Sequence, residues 1–196
     1  MRIILASQSP RRKELLTLMG LEFEVMPSKK DEDMTRHIKL TELSKSLAEQ
    51  KADDVFSLTS GDRVVIGSDT IVVAKGKLFG KPKTREEAKS MLKTLSGKWH
   101  KVITSLCVIV SLSEEQKKYL TYDICKVKFL KLTDEEIDEY LDCGEYKDKA
   151  GAYAIQGKSG MFIKKINGSY ATVIGLPTHL LYQILKKENL FDKNSL

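Results

Sequence analysis

The chain of 196 residues is long enough for one domain, or for two tightly joined lobes, around a hydrophobic core. Its 41% hydrophobic and 31% charged content, with apolar residues recurring in ordered patterns, excludes a disordered or fibrous protein. The net charge of +6, from 33 basic and 27 acidic residues, reads first as a solvated surface with a slight positive bias, which would also help collect a small polyanion.

Ile3–Leu5 reads as a short strand. Ser9 as N-cap and Pro10 at the first helical position then open a helix to about Met19, which Gly20 ends. Leu21–Val25 suggests a second strand, and residues 27–37 a polar loop. Leu43, Leu47 and Ala48 at helical spacing predict a helix over Leu40–Val55, with Lys51 near its end. Val64–Ile66 and Ile71–Val73 flank Gly67-Ser-Asp-Thr70 and read as one buried strand interrupted by a single charge. Turns follow at Lys75-Gly76 and Phe79–Pro82, and Thr84-Arg-Glu-Glu87 is a capping box for a helix through about Leu95. Val102–Val110 is a β-branched strand, residues 113–118 a polar turn, and Tyr119–Leu132 the antiparallel partner. A second capping box, Thr133-Asp-Glu-Glu136, starts a helix that ends near Cys143-Gly144. Residues 145–160 are glycine-rich and loop-like; Phe162–Ile166 and Tyr170–Ile174 form a predicted hairpin about Asn167-Gly168. After Leu176-Pro177 a last helix carries Leu180, Leu181, Ile184 and Leu185 on one face. The expected class is therefore mixed α/β, a twisted sheet with flanking helices in one domain over residues 1–196.

Cys107, Cys125 and Cys143 lack CxxC spacing, so neither a zinc site nor a disulfide framework follows. The longest apolar run is far short of a membrane span, and the first residues read as strand and polar turn rather than a signal peptide. Asn167-Gly-Ser, formally a glycosylation sequon, is read as a turn. A cytoplasmic protein without membrane contact is expected. Nucleic-acid binding is not, because no long basic run or basic stripe interleaved with aromatics occurs. His37, His100 and His179 are far apart and read as structural or surface residues, and Trp99 as packing.

Two places stand out chemically. A helix N-terminus exposes unpaired N–H groups and a partial positive charge, and Ser7–Arg12 adds two serines and two arginines to it. Adjacent arginines point about 100° apart on a helix, so one is available for phosphate while the other is free to be structural. The second is Asp69. A carboxylate within a buried strand is expensive unless it is paired or bound to metal, so Asp69 is a candidate for ligating Mg2+ or taking a proton from water. An Asp that merely starts a turn is the alternative, against which Ile71–Val73 continues the strand pattern. Lys51 and Lys81 matter only if they face the same place as Arg11 and Arg12. In Glu145–Gly157, small residues would let a ligand approach the backbone, and Gln156 offers a donor and an acceptor suited to a base edge; an ordinary loop fits the residue types equally.

Taken together, LASQSPRRKELL at 5–16, LAEQKA at 47–52, GSDTIVV at 67–73 and GKP at 80–82 resemble the Maf family of nucleoside triphosphate pyrophosphatases. The resemblance continues through SGKWHKVIT at 96–104, EYKDKAGAYAIQG at 145–157 and INGSYATVIGLP at 166–177, in the family's order over almost the whole chain. It implies a two-lobed fold like that of inosine triphosphate pyrophosphatases, with the active site in a cleft between lobes. The implied activity is metal-dependent cleavage of a nucleoside triphosphate between the α- and β-phosphates, with Mg2+ or Mn2+, for nucleotide-pool housekeeping. Arg11-Arg12, Thr70 and AYAIQG are similar to the branch acting on dTTP and UTP. By resemblance Asp69 is the proton acceptor and a metal ligand, and Glu32 a second metal ligand between Asp31 and Asp33. Ser7, Arg11, Lys51 and Lys81 surround the phosphates; Arg12, Thr70 and Gln156 are specificity positions. Thr172 stands where a larger polar residue is common, with no effect on catalysis expected. A homodimer is compatible with the resemblance. A nucleotide-binding regulator of cell division with little turnover is the alternative function.

Overall fold

The computed structural model of the chain describes residues 1–30 and 39–191. In chain order its elements are β1 (Arg2–Leu5), α1 (Pro10–Leu18), β2 (Glu24–Val25), α2 (Leu40–Ser57), β3 (Arg63–Ala74) and β4 (Lys77–Phe79). These are followed by α3 (Arg85–Leu95), β5 (Trp99–Leu112), β6 (Glu115–Phe129), α4 (Asp134–Asp142), β7 (Ile163–Asn167), α5 (Tyr170–Ile174) and α6 (Thr178–Lys187). The strands form one mixed sheet in the order β2-β1-β3-β5-β6-β7, with β4 hydrogen-bonded to β3. β1 runs parallel to both β2 and β3, whereas β4 is antiparallel to β3 and β7 antiparallel to β6. The expected mixed α/β class is therefore present. Among the described residues no helix is long and apolar enough to cross a membrane.

Residue contacts divide the chain into two compact units, one of Met1–Asp69, Thr104–Asp123 and Gly175–Leu196, the other of Thr70–Ile103 and Ile124–Ile174. In the first unit, Ile4, Ala6, Val65, Cys107 and Ile109 of the sheet bury against Ala48, Ala52 and Val55 of α2. The fit depends on Gly67. A Cβ there would stand 2.4 Å from the Ala48 carbonyl oxygen and 2.8 Å from the Ala52 nitrogen, so β3 touches the helix backbone where only hydrogen can lie. Burial of Cys107 pushes its thiol up to about 12, leaving an inert small hydrophobe.

The second unit packs α3 and α4 on its sheet strands through Ala88, Leu92, Leu95, Ile137 and Leu141. Arg85 of α3 pairs with Asp138 and Asp142 of α4, Lys89 with Asp138 and Lys93 with Asp134, joining the two helices along their exposed edge. Within this core His100, Phe129 and Tyr153 stack edge to face, and His100 Nε2 lies 2.7 Å from the Tyr153 hydroxyl. His100 is only 3% exposed, and burial depresses its pKa from 6.5 to about 4.

Several local expectations are corrected. Ser9 makes no side-chain cap; the Ser7 hydroxyl, two residues earlier, accepts the Ser9 N–H. β2 is only Glu24–Val25, because the chain before it is not paired to β1. The β5–β6 reversal is two residues, Ser113-Glu114, both at positive φ, and Glu115–Lys118 are exposed strand residues whose polarity reports solvent rather than a turn. Thr133 and Glu136 form a complete capping box, but Glu87 turns its carboxylate to the Lys83 N–H instead of Thr84. Trp99 is 46% exposed, and the packing expected of it is done by His100 on the other face of the strand. The hairpin expected about Asn167-Gly168 is absent. Gly168, at φ +128°, lets the chain pass within van der Waals reach of Cys125 and leave the sheet, and Tyr170–Ile174 becomes helix α5. The β-branched Thr172 and Ile174 are buried there by tertiary packing that overrides strand propensity.

Two predictions follow from packing. Gly67→Ala should destabilise the protein by about 1–3 kcal/mol in urea unfolding, as overpacking against a helix backbone does. For His100, both states are neutral above pH 6.5, and below it only the unfolded chain takes the proton readily. Its contribution is thus lost as pH falls from 6.5 toward about 4, a loss of roughly 3 kcal/mol at 1.4 kcal/mol per unit. Urea unfolding of His100→Gln across this window should show a shallower decline than the parent by about that amount.

Candidate active site

The site is built where β1 ends at its carboxyl edge beside the middle of the parallel strand β3. Leu5 of β1 is in register with Ile66 of β3, and the Ala6 N–H donates to the Ile66 carbonyl at 2.8 Å. Beyond this pair β1 turns into α1 through Ser7–Ser9, while β3 continues through Gly67, Ser68 and Asp69. Because strand side chains alternate, Gly67 and Asp69 face α2 and Ser68 faces the other way.

On the Ser68 side, buried Ser7 anchors the turn. Its hydroxyl accepts the Ser9 N–H at 3.2 Å and an Arg12 Nη1–H at 3.0 Å. Arg12 Nε also donates to the Gly175 carbonyl at 2.8 Å. Ser68 Oγ lies 3.0 Å from that same carbonyl and 2.8 Å from the Ser105 carbonyl, between which its single proton is shared. The Arg12 guanidinium is thus aimed by Ser7 and Gly175. Arg11 is half-buried, desolvation lowers its pKa, and among the described residues no hydrogen bond or ion pair compensates it. A partly dehydrated guanidinium at a helix N-terminus is a binding element for anions.

On the α2 side, Asp69 is 5% exposed. Lys51 Nζ donates to its Oδ1 at 2.6 Å, and the Ser44 hydroxyl reaches its backbone carbonyl at 3.4 Å. Among the described residues Oδ2 is buried without a hydrogen-bond partner. A buried carboxylate oxygen left unpaired is costly, and this one is directed at a position where a cation or the proton of a water would satisfy it.

Ser7, Arg11, Arg12, Lys51 and Asp69 all belong to the first unit, where Lys51 and Asp69 meet directly and Arg12 is tied to Ser7. Thr70, Lys81 and Gln156 belong to the second. Thr70 is half-buried in β3; Lys81 and Gln156 are exposed. The Gly151 N–H donates to the Gly80 carbonyl at 3.0 Å and so joins the Lys81 loop to the Glu145–Gly157 segment. Glu32 and His37 lie outside the described residues. Among the described residues no group of three or more His, Cys, Asp or Glu is placed to hold a metal. Sequence reasoning missed Ser44 and the Gly175 carbonyl. Ser44 carries a legible signal, a polar residue on the buried stripe of Leu43, Leu47 and Ala48; a backbone carbonyl carries none.

Comparison with known proteins matches residues 2–188 to the family described as Maf-like protein. A dTTP/UTP pyrophosphatase of Aquifex aeolicus (strain VF5) is 47% identical over 97% of this chain and 97% of its own. One from Alkaliphilus oremlandii (strain OhILAs) is 47% identical over 100% and 99%. A HAM1 protein from Coxiella burnetii shares the fold, with a TM-score of 0.50 at 15% identity over 95% of this chain and 99% of that one. With a family match over nearly its full length and relatives of this identity, the chain belongs to the Maf family.

Proposed function

We propose that this protein hydrolyses dTTP and UTP to the nucleoside monophosphate and pyrophosphate, as a housekeeping enzyme of the cytoplasmic nucleotide pool. The observation that carries the reading is the buried Oδ2 of Asp69, without a hydrogen-bond partner among the described residues, beside Lys51 on the strand next to the one that ends in the Ser7–Arg12 turn. The names of the full-length relatives supply the substrate.

A divalent cation, Mg2+ or Mn2+, fits the donor chemistry, since Asp69 Oδ2 is a hard oxygen lacking a partner and such ions take carboxylate together with phosphate oxygens. Asp69 would hold it, with Glu32 as the second ligand implied by resemblance. When bound it supplies Lewis acidity toward the phosphates and the attacking water.

The chain's own groups do the rest. Arg11 and the N–H groups at the start of α1 bind the polyphosphate and stabilise charge on the departing pyrophosphate. Lys51 and Lys81 add positive charge around it. Water attacks the α-phosphorus in line, a new P–O bond forms, and the bond from the α-phosphorus to the α,β-bridging oxygen breaks. The water's proton passes to Asp69, which Lys51 orients through Oδ1. The electron pair of the broken bond leaves on pyrophosphate. Arg12, Thr70 and Gln156 select the base.

Asp69→Asn should lower kcat by at least about a hundredfold while retaining nucleotide binding, because the amide keeps the shape and loses the base. Near-normal pyrophosphate release by this variant would defeat the assignment. With the parent enzyme, dTTP and UTP should yield pyrophosphate and not orthophosphate in a panel of triphosphates. Chelation with EDTA should abolish turnover, and Mg2+ or Mn2+ should restore it.

A further inference from the structure

In the second unit the segment between α4 and β7 is buried at its roots and exposed at its tip. Ala152, Tyr153, Ser159 and Phe162 are buried, whereas Gln156 faces solvent. The tip is held unusually firmly for an exposed turn. The Gly157 N–H closes it onto the Ala154 carbonyl at 3.0 Å. The Ser159 hydroxyl accepts the Ala154 N–H at 3.0 Å and donates to the Ala154 carbonyl at 2.8 Å. Glu145 reaches across from the far end of the segment, and its Oε2 accepts the Lys158 N–H at 2.8 Å. A Cβ at Gly157 would lie 2.2 Å from Glu145 Oε2, so a side chain there would displace the carboxylate from its bond to the Lys158 N–H.

The core gains little from this restraint, because Ala154 and Ile155 are only half-buried and Gln156 is exposed. What it does accomplish is removal of backbone freedom on both sides of Gln156 before a ligand arrives, so that less ordering remains to oppose binding. We propose that Glu145 is a positioning residue for base selection, pinning the Ala154–Lys158 turn so that Gln156 is presented in a single geometry. The proposal rests on the reading of Gln156 as a specificity position. Glu145 acts through the turn and does not touch the substrate.

The test compares Glu145→Ala, Glu145→Gln, Lys158→Pro and Gln156→Ala in the full chain, with steady-state kinetics on dTTP, UTP and dATP and thermal unfolding of each. Glu145→Ala should raise KM for dTTP about fivefold, the equivalent of one hydrogen bond, with kcat within about twofold of the parent. Its preference for dTTP over dATP should fall by a similar factor. Glu145→Gln retains an acceptor oxygen and should restore both values to within about twofold. Lys158→Pro deletes the donor N–H from the other side, and the preceding Gly157 at φ −97° and ψ −166° already has backbone that proline accepts. It should reproduce Glu145→Ala even if that variant does not fold. If Gln156→Ala raises KM while Glu145→Ala and Lys158→Pro leave KM and base preference unchanged, the positioning role is overturned and the proposed reaction stands. A uniform fall in kcat on all three triphosphates would also overturn it, as general loosening. If Gln156→Ala itself changes neither KM nor preference, the specificity reading of Gln156 fails and the role of Glu145 with it.

Discussion

The first compact unit depends on how closely β3 approaches α2. Gly67 lies against the backbone between Ala48 and Ala52, two small residues one helical turn apart. Lys51 is adjacent to Ala52, and Asp69 is the next residue of β3 on the same face as Gly67, so this contact sets the reach of the lysine to the carboxylate. At 2.6 Å the pair is tight. Tightness matters because a buried ion pair recovers its desolvation cost only at good geometry. A helix held off by even one extra methyl would leave two buried charges imperfectly matched, which is worse than having neither. The small-residue seam is therefore as much a part of the site as the charged residues it brings together.

The alternation of β3 then divides the work between its faces. Asp69 looks toward α2 and the lysine, while Ser68 looks toward the Gly175 carbonyl, which also receives Arg12 Nε. A single carbonyl thus links the residue beside the proposed base to the arginine of the anion-binding turn. Gly175 serves there at φ +124°, a backbone region that other residues rarely adopt. The two arginines, adjacent in sequence, consequently differ: Arg12 is aimed by neutral acceptors, and Arg11 is partly dehydrated. Their separation of about 100° around the helix is the reason they can differ.

Much of this was legible in the chain. Pro10 after Ser9 and the apolar spacing of Leu43, Leu47 and Ala48 mark α1 and α2 correctly, because local backbone preference and burial agree at those places. Asp69 stands out because a charge inside an apolar run conflicts with the burial implied by its neighbours. The errors arise where polarity or propensity was made to stand for geometry. Ser9 stands at the N-cap position, yet its hydroxyl makes no capping bond, and its own N–H donates to the Ser7 hydroxyl instead. Tyr170–Ile174 has the residue types of a strand, but after Gly168 turns the chain past Cys125 the segment winds into helix α5. Glu145 and Gln156 stand eleven residues apart in sequence, and nothing in that spacing shows that a carboxylate closes the turn carrying the amide.

The two units also carry their stability differently. The second has the complete capping box, the α3–α4 ion pairs and the edge-to-face aromatic cluster. The first holds most of the buried polar atoms without partners among the described residues, namely Arg63 Nε, Asp69 Oδ2 and Ser105 Oγ. Arg63 recovers part of its cost by lying 3.9 Å over the Phe56 ring and donating to backbone carbonyls. Asp69 Oδ2 has no such compensation. Each unsatisfied atom lowers the stability of the protein alone, and any ligand that satisfies it returns that free energy as binding and so stabilises the fold. An optimised hydrogen bond to Oδ2 from the protein would raise stability and occupy the position where the proposed reaction delivers a proton. Under the proposed mechanism the incompleteness of Asp69 is a requirement, and the close seam at Gly67 holds the lysine that pairs its other oxygen.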